Sequence, residues 1–185
     1  MTTGRYLSTA ELEQGLDNIL ESPDDSGELK LIVRRPEVDQ RESIDVGRLD
    51  VERGLVGDNW RVRGGDMPDG SADPEMQLNI MNARVVALVA DAPDRQELAG
   101  DQLYLDLNLS VDNLPPGTRL AIGDAIIEIT EPPHTACKKF ASRFGRDATV
   151  FVNSGMGKKL NFRGINAKVT KSGDIKVGDA ACKLV

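Results

Sequence analysis

From Gln102 to the C-terminus, short apolar runs alternate with turn signals, and this texture leaves few folds open. Leu103-Tyr-Leu-Asp-Leu107, Arg119-Leu-Ala-Ile122, Ala125-Ile-Ile-Glu-Ile-Thr130, Gly164 to Thr170, Ile175-Lys-Val177 and Ala180 to Val185 are separated by Pro115-Pro116-Gly117, Gly123-Asp124, Ser172-Gly173-Asp174 and Gly178-Asp179. Gly-Asp between two such runs is hairpin chemistry. Val150-Phe-Val152 reads as one more run of the same kind. Several short strands at close spacing predict a barrel or sandwich, so the chain is expected to be mainly β, in the α+β class, with a few short helices. No fixed-period repeat is present, which argues against a solenoid.

The first half carries the helices. Ser8 and Glu11 have capping-box spacing, and Leu12, Leu16, Ile19 and Leu20 follow at helical intervals, predicting a helix over about 8–21 that ends at Ser22-Pro23. Lys30 to Arg34 is a compact strand run between Gly27 and Pro36, whereas Glu37 to Val51 is too polar to assign. Gly64, Gly65, Pro68 and Gly70 mark a long loop from Asn59 to Pro74, followed by strand alternation over Met76 to Ile80. Asn82 is a candidate cap for a helix through Val85, Val86, Leu88 and Val89, although a buried strand has the same composition. Asp94 is a candidate cap for another helix through Leu98.

At 185 residues, with 39% hydrophobic and 29% charged side chains, one domain spanning 1–185 with its core over about 28–185 is expected. The formal charge of −7 gives no basic footprint for nucleic acid. Arg5, Glu11, Glu13 and Asp17 interrupt the N-terminal region, so no signal peptide is expected, and no apolar run approaches a membrane span. A cytoplasmic location follows as an expectation. With two cysteines, Cys137 and Cys182, free thiols are a better assumption than a disulfide scaffold.

The densest reactive stretch is Glu131-Pro-Pro-His-Thr-Ala-Cys137-Lys-Lys-Phe140, which holds the single histidine, His134. Lys138 and Lys139 beside Cys137 create a locally cationic setting that favours the thiolate, which is both nucleophile and soft metal ligand. The alternative is a small buried thiol beside two solvated lysines. Two cysteines and one histidine are too few for a closed zinc site. A Cys–His nucleophilic pair lacks a signal for an oxyanion hole. Cys182, in the closing run, reads as structural, and Arg163 reads either as a surface charge or as an anion clamp.

Taken together, these segments resemble the MOSC family. The resemblance is carried by Arg35-Pro36, Gly54-Leu-Val-Gly-Asp58, Asp106-Leu-Asn108-Leu, Gly117 to Asp124, Glu131 to Phe140, Arg163-Gly164-Ile-Asn-Ala-Lys-Val169 and Gly173 to Asp179, in that order. It implies a β-barrel-like fold and a molybdenum cofactor (molybdopterin) ligated by Cys137. It also implies contacts to that cofactor from Arg163 and Lys138, with Asn108 on the asparagine of the family's E-N-L-like turn. His134 stands where many relatives carry arginine in a P-R-x-P-C run, and Ala136 where proline or glycine is usual.

Three functions follow from the resemblance. The first is an oxidoreductase acting on N-hydroxylated substrates, which would need an electron-donor reductase because two cysteines cannot hold an iron–sulfur cluster. The second is a non-catalytic cofactor carrier or sulfur-transfer module acting through Cys137. In the molybdenum cofactor sulfurases, which carry a domain of this family at their C-terminus, sulfur is released by a pyridoxal-phosphate domain for which this chain has no room. The third is a degenerate domain that keeps the fold without the cofactor.

Overall fold

In the computed structural model, which describes residues 5–65 and 67–184, the apolar runs close into a barrel. The strands are β1 (Ser26–Arg34), β2 (Glu42–Ile44), β3 (Val46–Asp50), β4 (Gly54–Leu55), β5 (Leu78–Asn82), β6 (Leu103–Asp106), β7 (Arg119–Ile122), β8 (Ala125–Ile129), β9 (Ile165–Lys171), β10 (Gly173–Lys176) and β11 (Ala180–Leu184). Around the barrel the order runs β1, β11, β7, β8, β9, β5, β6 and back to β1, with β2 added at the far end of β1. Closure leaves these strands no free sheet edge to protect. Gly123-Asp124 makes the expected tight turn of the β7–β8 hairpin. The last run ends at Leu184, because Val185 lies outside the described residues. A smaller sheet, β10–β3–β4, contributes Leu49, Leu55 and Ile175 to the same buried cluster as the barrel interior.

The helices are α1 (Thr9–Gln14), α2 (Leu16–Leu20), α3 (Trp60–Arg63), α4 (Ala83–Ala90), α5 (Lys138–Asn153) and α6 (Gly155–Lys159). The Ser8–Glu11 capping box is formed, and the expected first helix is split at Gly15 into α1 and α2. Asn82 caps α4 by accepting from the N–H groups of Arg84 (2.8 Å) and Val85 (3.1 Å), so the valine-rich run is helical. β5 and β6 are the parallel pair, and α4 supplies the crossover that parallel strands require. Pro93–Ala99 forms a 3₁₀ turn that begins at Pro93, so Asp94 sits inside its first turn instead of capping an α-helix.

Val150-Phe-Val152 is the clear correction to the strand reading. These residues lie in α5, where Phe151 stacks on Phe162 at 5.1 Å and Val152 is buried. A β-branched, aromatic triplet looks the same in either setting; tertiary packing made the choice.

A second core lies outside the barrel wall. Val33, Met81 and Tyr104 point outward from β1, β5 and β6 and are covered by Leu12, Val85, Phe140 and Phe144 from the helices. α5 is bent sharply at Gly145, whose φ of +88° suits glycine and whose Cα faces the Tyr6 ring. A straight helix of this length would hold its ends roughly 24 Å apart. The bend instead returns Asn153 to Ala136, two residues before the helix begins: its Oδ1 accepts from the Ala136 N–H at 3.1 Å, and its Nδ2 donates to the Ala136 carbonyl at 3.3 Å.

Candidate functional site

The segment from Glu131 to Cys137 links β8 to α5 and is held at both ends by asparagines. Asn166 donates to the Pro132 carbonyl at 2.9 Å, and Asn153 clamps Ala136. Cys137 is the N-terminal flanking residue of α5 and is exposed. Partial burial opposes ionisation of its thiol. The N–H groups of Phe140 and Lys139 at the head of α5, with the charge of Arg163, outweigh that and hold its pKa below the ordinary thiol value. No side-chain capping hydrogen bond closes, so the helix start acts on the sulfur electrostatically. Alkylation by iodoacetamide in a Cys182→Ala background is therefore expected to show a rate midpoint below that of an unstructured cysteine peptide measured alongside. A midpoint at or above that value would contradict the electrostatic reading.

Cys137 opens onto a cavity of about 230 Å³ at the junction of barrel wall and helical layer. Its lining includes Arg35, Arg41, Arg63, Lys139, Arg143 and Arg163, against the carboxylates of Glu37 and Asp39. This is a concentration of positive charge in an acidic protein. Arg163 lies over the Phe140 ring at 5.0 Å and donates from Nη1 to both oxygens of the fully buried Asp101 at 2.8 Å, while its Nη2 donates to the Ala99 carbonyl. Arg35 pairs with buried Asp58 through two nitrogens, Nε to Oδ2 and Nη2 to Oδ1, each at 2.8 Å, and its Nη1 donates to Asn79 Oδ1 and the Gly100 carbonyl. Nearer the surface, Asp39 pairs with Lys139 (2.8 Å) and Arg143 (3.4 Å), and those two cations hold its carboxyl below the usual range.

His134 stands beside this network, its Nδ1 3.4 Å from Asp101 Oδ1 without closing a hydrogen bond. Burial, reinforced by the charges of Arg163 and Arg35, holds its pKa well below the usual imidazole range, so the ring is neutral at neutral pH. Gly164 makes this closeness possible. At φ +113°, a side chain there would run into the Ile80 carbonyl and press on His134 Nδ1.

One feature separates this cavity from the rest of the molecule. Among the described residues, the buried side-chain polar atoms without a hydrogen-bond partner are Arg41 Nε, Asn59 Oδ1, His134 Nδ1 and Arg163 Nε, and all four belong to residues lining it. Buried polar atoms are ordinarily satisfied, and a cluster of exceptions calls for a reason. Three of the four are nitrogens on basic side chains that border it.

Of the residues singled out from the sequence, Cys137, His134 and Arg163 are brought together. Lys138 is not part of the lining, its neighbour Lys139 taking that place. Asn108 lies elsewhere: it bonds Asp24 at 2.7 Å and accepts from the Ser110 N–H, which makes it a turn residue. Arg41, Asn59, Asp101 and Arg143 had no local signal, while Arg35 was visible only as part of Arg35-Pro36. Cys182 lies on β11, 3.3 Å from the Ser26 hydroxyl and away from this cavity.

A closed barrel with a helical layer, and a cysteine presented at a helix start between them, defines a β-barrel class with a cysteine-bearing cleft. The MOSC domain profile matches residues 69–181, and the chain belongs to the MOSC family. Among solved structures it is similar to YuaD from Bacillus subtilis, at 17% identity and a TM-score of 0.58 over 84% of this chain and 94% of that one. It is also similar to YiiM from Escherichia coli (18% identity, TM-score 0.54, 85% of this chain and 70% of that one) and to YiiM from Geobacillus stearothermophilus (12%, 0.52, 88% and 74%). At these identities the likeness is one of fold. No curated protein matches the sequence. No helix among the described residues is long and apolar enough to cross a membrane.

Proposed function

We propose that this protein binds the molybdenum cofactor, with Cys137 as the protein's ligand to the metal, and reduces N-hydroxylated compounds using electrons from a partner reductase. The observation that carries the reading is that, among the described residues, the four with orphaned buried polar atoms all line the cavity onto which Cys137 opens, a thiol whose pKa is held below its ordinary value. The residues fit the group. Among the described residues no three or more His, Cys, Asp or Glu side chains gather to hold a metal ion, so a metal on Cys137 would need a non-protein ligand to supply most of its other donors. A pterin dithiolate supplies such donors. Its phosphate is the kind of anion that Arg41, Arg143, Lys139 and the Nε of Arg163 suit.

The bound metal supplies the two-electron chemistry. In the overall reaction the N–O bond breaks, two electrons arrive from the reductase, two protons are taken up and water leaves. The protein's part is to hold and orient. The start of α5 favours the ionised form of the Cys137 sulfur, Asp101 fixes Arg163, and Asn153 fixes the backbone ahead of the cysteine. His134, neutral and buried, offers a ring nitrogen as a hydrogen-bonding partner without adding charge.

Anaerobic turnover of benzamidoxime by cofactor-loaded protein, with a reduced viologen as donor, is expected to exceed the Cys137→Ala variant by at least tenfold. Equal rates would sink the reductase reading. The exposure of Cys137 favours a second reading, transfer of sulfur through a persulfide on that residue. A persulfide seen by mass spectrometry on molybdenum-free protein, with no turnover after loading, would select it.

A further inference from the structure

α5 is broken at Gly145, and the groups that hold the break come from far away in the sequence. In an unbroken α-helix the carbonyls of Ser142 and Arg143 accept from the N–H groups four positions on, across the point where Gly145 departs to φ +88° and ψ 172°. Both carbonyls take side-chain donors. The Tyr6 hydroxyl donates to the Ser142 carbonyl at 2.9 Å, and Arg95 Nη2 donates to the Arg143 carbonyl at 2.6 Å. Just past the break, Asp147 Oδ2 accepts from the N–H of Thr9, the first residue of α1, at 2.9 Å. The Tyr6 ring lies against Gly145 itself, where an added Cβ would come within 3.1 Å of the Tyr6 Cβ and Cγ. Arg95 is buried, its guanidinium 5.6 Å from the centre of the Phe144 ring, with a further hydrogen bond from Nη1 to the Ala90 carbonyl at 2.6 Å. Leu7 and Leu12 are buried in the same cluster as Phe140, Phe144 and Ala148, which joins the N-terminal segment to both limbs of α5.

The consequence reaches Cys137. The cysteine stands at the far end of the first limb, roughly 12 Å along the helix from Gly145. The second limb closes the path, because it carries Asn153 back to Ala136 and engages both the N–H and the carbonyl of that residue. We infer that Tyr6 and Arg95 are positioning residues for Cys137: they fix the angle at which the two limbs meet, that angle seats Asn153 on Ala136, and the clamp sets the backbone from which the thiol is presented. Tyr6 is 56% exposed and so adds little to the core, yet its hydroxyl and its ring are both used at the break. The arrangement is independent of what Cys137 ligates and asks nothing of the reductase reading.

Amide exchange followed by NMR on metal-free protein tests this. Tyr6→Ala removes the ring and the hydroxyl at an exposed position, so no core cavity opens. The Ala136 N–H, whose acceptor is Asn153 Oδ1, is expected to exchange at least tenfold faster than in the wild type, with displaced amide signals for Ala136 and Cys137. The Leu29 N–H, bonded to the Asp179 carbonyl at 2.9 Å on a fully buried barrel residue, is expected to stay within twofold. That contrast separates a lost positioning contact from a general loss of stability, which speeds both amides. Asn153→Ala removes the clamp directly. Adding Tyr6→Ala to it should raise Ala136 exchange by less than a further twofold, because the two substitutions act through one contact. Ala136 exchange unchanged in Tyr6→Ala, or rising in step with Leu29, would overturn the proposal, as would full additivity of the two substitutions.

Discussion

Asp101→Ala is expected to lower the unfolding free energy by about 3–5 kcal/mol, the cost of leaving one member of a buried ion pair without its partner. Asp101 is fully buried and holds Arg163 through both carboxylate oxygens at 2.8 Å. Burial raises the pKa of its carboxyl, with Arg163 opposing; the pair exists because the arginine offsets a desolvation that neither group would bear alone. Removing the carboxylate leaves a guanidinium that is 9% exposed with one carbonyl contact, from Nη2 to Ala99, and the ring of Phe140. For a domain of this size the melting temperature should fall by roughly 10 °C. The exposed pair Arg48–Asp174, with side chains 55% and 62% accessible, is the natural control: Asp174→Ala should change stability by less than about 1 kcal/mol. Thermal melts of the two variants read the difference. An Asp101→Ala protein as stable as the Asp174→Ala protein would show that Arg163 is held by something other than this pair, and its role in shaping the cavity would have to be redrawn.

The barrel was largely legible in the sequence because its local signals agree with its tertiary structure. Gly123-Asp124 turns where a two-residue hairpin needs it, and Ser8 with Glu11 caps where the spacing says. Legibility failed where packing overrode local character. Val150, Phe151 and Val152 have strand composition but belong to the second limb of a helix, because the bend at Gly145 sends that limb back across Ala136 and onto Phe162. In Glu37 to Val51, β2 and β3 were invisible because they are short and largely polar or exposed, and take their place by pairing with β1 and with β4 and β10.

The site divides in the same way. Cys137 and His134 are neighbours in sequence, and Arg163-Gly164 announces itself by residue type, so these could be named in advance. Asp101 could not. It lies 62 residues before Arg163, in a stretch with no reactive neighbour, and its role exists only because β6 and β9 flank β5 on either side. Arg41, Asn59 and Arg143 are similar cases, each ordinary in its own segment and meaningful only once the segments meet. Lys138 and Lys139 show the limit of residue-level reading: composition cannot say which of two adjacent lysines at a helix start turns into the cavity.

The central claim is that Cys137 holds the metal of a molybdenum cofactor, and it has a direct measure. Wild-type protein and Cys137→Ser, both produced in a host that makes the cofactor, are purified anaerobically and analysed for molybdenum. Because Cys137 is exposed, the substitution should leave stability within about 0.5 kcal/mol, so any loss of metal reflects the ligand and not the fold. The hydroxyl of serine stays protonated and is a hard donor, a poor replacement for a thiolate on a metal carrying sulfur ligands. Wild-type protein is expected to approach one molybdenum per chain, with at least a tenfold loss in Cys137→Ser. Equal molybdenum in the two proteins, or none in the wild type, would contradict the assignment of Cys137 as the ligand.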